Sequence, residues 1–549
     1  MKRNIFPKLL CLAIALGLSI AATSAQQNSV DIVTTYTPEV APATKLLAPT
    51  TIADDPRIDP DIAYEVTPSL WQISLEAHNF LPARASYWDH ISYKRLFAKA
   101  AVGYPLGSEA RFRYTLQTPK VGYFGVGIDH VGDFASRATD FGRRPIAKSY
   151  TINNRALVGG GLFVGNYLLE GALKFNDDIY NSYAASRPER LMFNDVSLGV
   201  KFGDEFVDLS HLNFSVEAHG DYWSHRLPMI SDEIESANVI SAGGSARLAR
   251  DFSGNTITLQ LEADWWGGYR DELAVGGSVG YARRFGIVSL EAGLGYLYDK
   301  VSNGRASHYL LPRAKVLFDL DKSAFVPYIE AKTQVQHNAL SELYESNPYL
   351  SFEPQRRELM GMNNSRSYDL SAGFTGTLFS SRFAYHIFAG TSFTADKLFW
   401  FVRESGLFGV ATGNCNRVFV GLGAEVTPLA GLKLDIDFSY HFDDYRAIYL
   451  VADPNMRGNL SAEYTLRKLK FYAGADMMGA RRITDLSNGS FDVIKMPLTF
   501  DFGAGVSYRV NRMVEVFADG KNLLNSKIYD YAHYLRPGIG FMLGVKMDF

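Results

Sequence analysis

The final eleven residues, Ile539 to Phe549, constrain the fold more tightly than any other stretch. Ile539, Phe541, Leu543, Val545, Met547 and Phe549 fall on one face of an extended chain; Gly540, Met542, Gly544, Lys546 and Asp548 fall on the other. One face is wholly apolar and the other carries charge, with the period of two that a strand imposes. A strand can stand between hydrocarbon and water in this way only inside a closed barrel, because lipid cannot satisfy the polar groups of an open sheet edge. The expected fold is all-β, a transmembrane antiparallel barrel.

The other end of the chain carries an address. Lys2, Arg3 and Lys8 precede an apolar run from Leu9 to Ala22, and Thr23-Ser24-Ala25 follow. This is the pattern of a cleavable secretory signal peptide over residues 1–25. Cys11 would leave with it, and the remaining Cys415 has no cysteine to pair with. No later segment has the roughly 18 consecutive apolar residues that a membrane helix needs. The 31 tyrosines and 36 phenylalanines suit aromatic girdles at two membrane interfaces. A net charge of −3 argues against nucleic acid as a partner.

Two textures divide the mature chain. Residues 26–94 hold seven of the 21 prolines and lack strong alternation, so they read as a short proline-rich segment, periplasmic or plug-like. From residue 95 to 549 alternating segments follow one another. In Glu109–Thr118, Ala110, Phe112, Tyr114 and Leu116 oppose Glu109, Arg111, Arg113 and Gln117. In Leu432–Asp443, Leu434, Ile436, Phe438, Tyr440 and Phe442 oppose Lys433, Asp435, Asp437, His441 and Asp443. Burying such a polar row in a dry core is costly, whereas lining a wet lumen is not. Counting back from Phe549, short links such as Arg467–Leu469 and Pro428–Gly431 alternate with longer ones such as Asn338–Ser365, Gly406–Cys415 and Ala480–Phe491. The count reaches about 22 strands, an even number, as such barrels require.

The ending Gly520-Lys-Asn-Leu-Leu-Asn525, followed by Tyr529, Tyr531, Tyr534, Pro537-Gly538 and the Phe541–Phe549 strand, resembles the C-terminal end of TonB-dependent receptors. The match is specific over these closing residues and architectural elsewhere. The resemblance implies a bacterial outer-membrane location, with outer-membrane lipid as the surroundings. It also implies a C-terminal signal, Phe541, Leu543, Val545, Met547 and Phe549, read by the barrel-insertion machinery. The chain departs from the family where a globular plug is expected, since residues 26–94 are much shorter than that domain. It resembles a plugless, receptor-like subgroup of Bacteroidota type. Asp31, Ile32, Val33, Thr34 and Thr35 resemble the coupling strand that TonB takes up by edge addition. Two functions stay open: uptake across the outer membrane, and a non-transporting barrel that scaffolds a larger assembly with a periplasmic or surface lipoprotein.

Other signals are weaker. Gly125-Val-Gly127-Ile128 and Gly159-Gly-Gly-Leu162 look like phosphate loops, but each lies in an alternating strand with no helix after it. Ser215 and His219 share a face, as do Asp435, Ser439 and His441. Residues two apart on a strand face stand about 7 Å apart, too far for a nucleophile and its base to touch. The reading is therefore not an enzyme, with no catalytic residue, cofactor or metal site. Phe399-Trp-Phe401 reads as girdle. The loop Asn338–Ser365, with Tyr344, Asn347-Pro-Tyr-Leu350 and Phe352, either folds into the mouth as a gate or touches a partner, or is an ordinary surface loop.

Overall fold

The computed structural model describes residues 95–549, apart from 119, 140–145, 228–234, 269, 302–305, 321–323, 352–361, 380, 446–452, 488 and 490. The signal peptide, the proline-rich segment 26–94 and Asp31–Thr35 lie outside the described residues.

The main sheet holds 24 strands, and two of them, Arg481–Asp485 and Asp492–Met496, form a hairpin joined to it by the single Val402–Asp485 bridge. The remaining 22 make an antiparallel barrel. It closes where Leu96–Tyr104 pairs with Gly540–Asp548, in a register running from Phe97–Asp548 to Tyr104–Phe541. Reciprocal hydrogen bonds between Leu96 and Phe549, at 3.2 and 2.8 Å, seal the seam at its lower end. Closure leaves no strand edge for lipid to desolvate.

The alternation read from the sequence fixes which side faces out. Phe541, Leu543, Met547 and Phe549 are exposed, as are Phe112, Leu116, Tyr440 and Phe442. Their polar neighbours point inward and pair across strands. Lys99 meets Glu109 at 2.6 Å, Arg111 meets Asp129 at 2.9 Å, and Lys546 meets Glu515 at 3.2 Å. The two glycine-rich runs are strand interiors, with Gly125 opposite Gly159. Gly161 is required locally, because the Tyr123 ring lies where its Cβ would stand.

Connections at the two ends differ as expected. One end has tight turns such as 430–431 and 467–468; the other carries 337–364, 479–498 and 522–539. Two expectations need correction. Residues 406–415 are not one long loop: the strand Phe408–Leu429 continues through them, leaving only 403–407 as a turn. Phe408 and Val410 are buried on the face where alternation predicts exposure, so the pattern that marks a lipid-facing strand is lost there. Trp400 is not a girdle residue either, since it packs against buried clusters at the mouth.

Candidate functional site

The mouth at the long-loop end is where the chain departs from a plain cylinder. The strands Phe383–Val402 and Phe408–Leu429, 20 and 22 residues long, outrun their neighbours. After an irregularity between Thr394 and Lys397 they continue as a hairpin. Other loops add to its edges. Leu350 bridges Phe408 in parallel, with Ser351 N donating to Phe408 O at 2.7 Å. On the opposite edge, Leu486 N donates to Val402 O at 2.9 Å. Backbone pairing thus ties three connections into one cap.

Side chains then close it. Tyr183, Tyr349, Val402, Phe408, Ile483, Met496 and Tyr534 form one buried cluster. The Tyr349 and Tyr534 rings stack with centroids 3.7 Å apart. Neighbouring hydroxyl groups serve other loops: Tyr183 donates to Leu535 O at 2.8 Å and Tyr531 to Ser346 O at 3.0 Å. Burial raises the Tyr349 and Tyr534 phenols well above their ordinary value; at Tyr349 the Arg137 charge opposes this and the Asp530 charge adds to it. Burial and the adjacent Asp530 push Tyr531 up to about 12. These phenols stay neutral across the physiological range.

The loop 337–364 contributes the short helix Leu340–Ser346. Its Leu340, Leu343 and Tyr344 pack on Phe193, Trp223, Ala237 and Val239. Those four belong to the inward face, because Leu198, Tyr222 and Ile240, of opposite parity on the same strands, are exposed outside. The helix therefore sits within the mouth, against the wall.

A buried polar network holds the base of that loop. Glu272 and Asp299 project inward from the wall, each 2% exposed. Asn364 donates to Glu272 at 2.7 Å and to Asp299 at 2.6 Å, and Arg270 meets Glu272 at 2.8 Å. His337 contacts Glu272 at 2.7 Å, and its ring lies 4.6 Å from that of Trp266. Burial lowers the His337 pKa, but the Glu272 hydrogen bond and the charges of Glu272, Glu342 and Asp299 outweigh it and hold it above the ordinary value. Burial raises the nearby Glu342 to about 7, against the pull of His337. Nothing local in the sequence marks this network, because Asn364 lies 92 and 65 residues from the two acids it joins.

The sequence-read candidates fall elsewhere. Phe541, Leu543 and Met547 share the outer face of the closing strand, with Val545 half-buried among them. His219 is partnered by Asp264 at 3.2 Å, and Asp435 accepts from Ser461 at 3.4 Å. Among the described residues no group of three His, Cys, Asp or Glu side chains is placed to hold a metal. The closing motif is a clasp at the base of the last loop, where Asn522 donates to Ser526 O and Pro537 O at 3.0 and 3.2 Å.

A closed 22-strand barrel with long loops folded over one end is the architecture of TonB-dependent receptor barrels. No family model matches the chain, and no curated protein matches it. Among solved structures it is similar to the copper transporter OprC, at 14% identity and a TM-score of 0.65, over 83% of this chain and 80% of that one. It is similar to the FrpB iron transporter from Neisseria meningitidis at 10% identity and a TM-score of 0.66, over 84% and 82%. It is also similar to the siderophore receptor PirA from Acinetobacter baumannii at 9% identity and a TM-score of 0.65, over 84% and 81%. At these identities the likeness is one of fold.

Proposed function

We propose that this chain is an outer-membrane barrel that takes up a ligand too large for a diffusive pore, with the capped mouth as its outer gate. The observation that carries this reading is the cap itself. A barrel of this strand number encloses a wide lumen, and its loops are tied across the mouth by contacts that can break without opening the wall. The barrels it is similar to include transporters of copper and iron and a siderophore receptor. In this reading residues 1–25 direct export, Phe541–Phe549 is the insertion signal, and Asp31–Thr35 couples to TonB. The chain then belongs to the plugless, Bacteroidota-type subgroup.

A second reading rests on the proline-rich, weakly alternating texture of residues 26–94. In it the barrel is a scaffold that binds a periplasmic or surface lipoprotein and moves no ligand. Deleting residues 28–50 separates the two. Lost accumulation of radiolabelled copper or ferric siderophore, with the barrel intact in the outer membrane, supports energised uptake. Unchanged accumulation with lost co-purification of a lipoprotein supports the scaffold.

A further inference from the structure

Outside the cap, the ladder of the barrel rim stops short beside the strand Leu432–Tyr445. The strand Leu432–Tyr445 pairs with Met456–Leu466 only as far as Tyr440 and Met456. Beyond that point, among the described residues, one backbone hydrogen bond joins the two sides, His441 N to Asn455 O at 2.8 Å. The gap forms a pocket of about 460 Å³. Its lining includes Tyr440 and Phe442 from the outer, lipid-side face and Arg481, Arg482 and Lys495 from the neighbouring hairpin. Phe442 is 66% exposed.

The charges in this notch do not balance. Arg482 stands directly opposite Lys495 in the hairpin register, and like charges in that position repel. Neither has an ion-pair or hydrogen-bond partner among the described residues. Arg481 is turned to the hairpin's other face, where it donates to the carbonyl groups of Tyr529 and Asp530 beside the Asp530 charge. The two acids that line the notch are already engaged. Asp443 takes both donors of Arg417 at 2.6 and 2.8 Å, and Asp453 takes Lys397 and Arg417 at 3.0 Å each. Those two cations hold the Asp453 carboxyl down to about 2 against the effect of burial. The hairpin's own acids, Asp485 and Asp492, stand three register positions away from the Arg482–Lys495 pair. Arg482 and Lys495, on the hairpin face opposite Arg481, therefore stand together beside exposed aromatic wall with no carboxylate paired to them among the described residues.

We propose that this rim notch binds the phosphate group of an outer-leaflet lipid. Arg482 and Lys495 clamp the anion from opposite strands, and Tyr440 and Phe442 carry the adjoining hydrocarbon. An anion between the two cations converts a repulsive cross-strand pair into a bridged one. The aromatic wall beside it favours a lipid over a free ion, since inorganic phosphate has no use for apolar surface. The inference rests on the barrel standing in an outer membrane and does not depend on what it transports.

The test uses the full mature protein in nanodiscs of phosphatidylcholine with and without lipid A, followed by native mass spectrometry. The wild type should retain a lipid A adduct, and the double variant Arg482→Ala, Lys495→Ala should lose at least tenfold of it. Arg482→Glu should also lose the adduct while gaining an ion pair with Lys495, and should melt no lower than wild type in lipid-free detergent. That variant separates lost binding from lost folding. Equal adducts in wild type and both variants would overturn the site. Inorganic phosphate that displaces the adduct at low millimolar concentration would overturn the lipid source and leave a free anion as the ligand. Failure of the wild type to enter nanodiscs at all would overturn the membrane placement instead.

Discussion

The barrel wall and the cap over its mouth are built from the same chain by different rules. In the wall, each strand repeats one instruction: apolar out, polar in, hydrogen-bonded to the next strand. Its cohesion lies in backbone ladders between sequence neighbours, closed on themselves. The cap joins loops far apart in sequence, such as Tyr183 to Leu535 and Tyr531 to Ser346. It is held by buried rings and a buried ionic network. The difference teaches where this molecule can move. Opening the wall means breaking a whole ladder, while opening the cap means separating side chains that need not take the wall with them.

The sharpest way to break that comparison is to remove Glu272. Its loss takes the Glu272 carboxylate from Arg270, which is buried at 7% exposure, and strips Asn364 and His337 of a shared acceptor. Breaking a buried pair by removing one partner costs about 3–5 kcal/mol. Glu272→Ala should release 337–364 to limited proteolysis while the barrel keeps its heat-modifiable migration in gels. If the barrel itself unfolds at the same denaturant concentration as the loop is released, wall and cap are one unit. Next in size is a charge on the outer wall. Leu543→Arg places a cation mid-strand on the apolar face and should destabilise the barrel in lipid by about 2–4 kcal/mol, with cap protection unchanged. A melt in bilayers that matches wild type would mean this face does not meet hydrocarbon.

The cap also has a pH dependence of its own. His337 is raised, so its contribution is full below its ordinary value and fades as pH climbs through the raised one. Glu342 is raised to about 7, so its contribution is full at low pH and is lost as pH rises through 7. Both signs agree: the helix Leu340–Ser346 is held more firmly at pH 5 than at pH 8. The other charged groups facing this pair are Arg270, Glu272, Asp299 and Glu345. Hydrogen exchange of 340–350 should quicken as pH rises, after correction for intrinsic rates, and His337→Gln with Glu342→Gln should flatten the trend. Tighter protection at pH 8 would contradict the assignment.

The same division decides what could be read from sequence. The wall was legible because period two survives wherever one face meets lipid and the other water. Parity and strand number followed from it, and the closing strand through Phe541 and Leu543 faces as the pattern requires. The cap was not legible. Phe408 and Val410 lose the alternation because both faces are packed, which hid the extended hairpin. Glu272 and Asp299 are diagonal neighbours on two paired strands, but Asn364 reaches them only through the return of a long loop, which no local pattern encodes. Tyr349 lies in the loop run Asn347-Pro-Tyr-Leu350, and Tyr534 in the closing motif, but their stacking joins loops that sequence alone leaves unconnected.

Smaller effects sharpen the contrast. A double-mutant cycle on Tyr349 and Tyr534 should give a coupling of about 0.5–1.5 kcal/mol in cap opening, read by exchange in 340–350. Zero coupling would mean that the rings share a cluster without supporting each other. The least effect should come from Lys546→Ala. Lys546 and Glu515 form an ion pair like Arg270 and Glu272, at 3.2 Å against 2.8 Å, but their side chains are 36% and 22% exposed against 5% and 1%. Lumen water screens the first pair and is excluded from the second. A partly solvated pair contributes about 0–1 kcal/mol, so Lys546→Ala should leave the barrel's melting in lipid almost unmoved, although it sits in the strand that closes the cylinder. If it melts as far below wild type as Glu272→Ala loosens the cap, then burial is not what separates the two regions, and the wall's inward charges are structural ties rather than a wet lining.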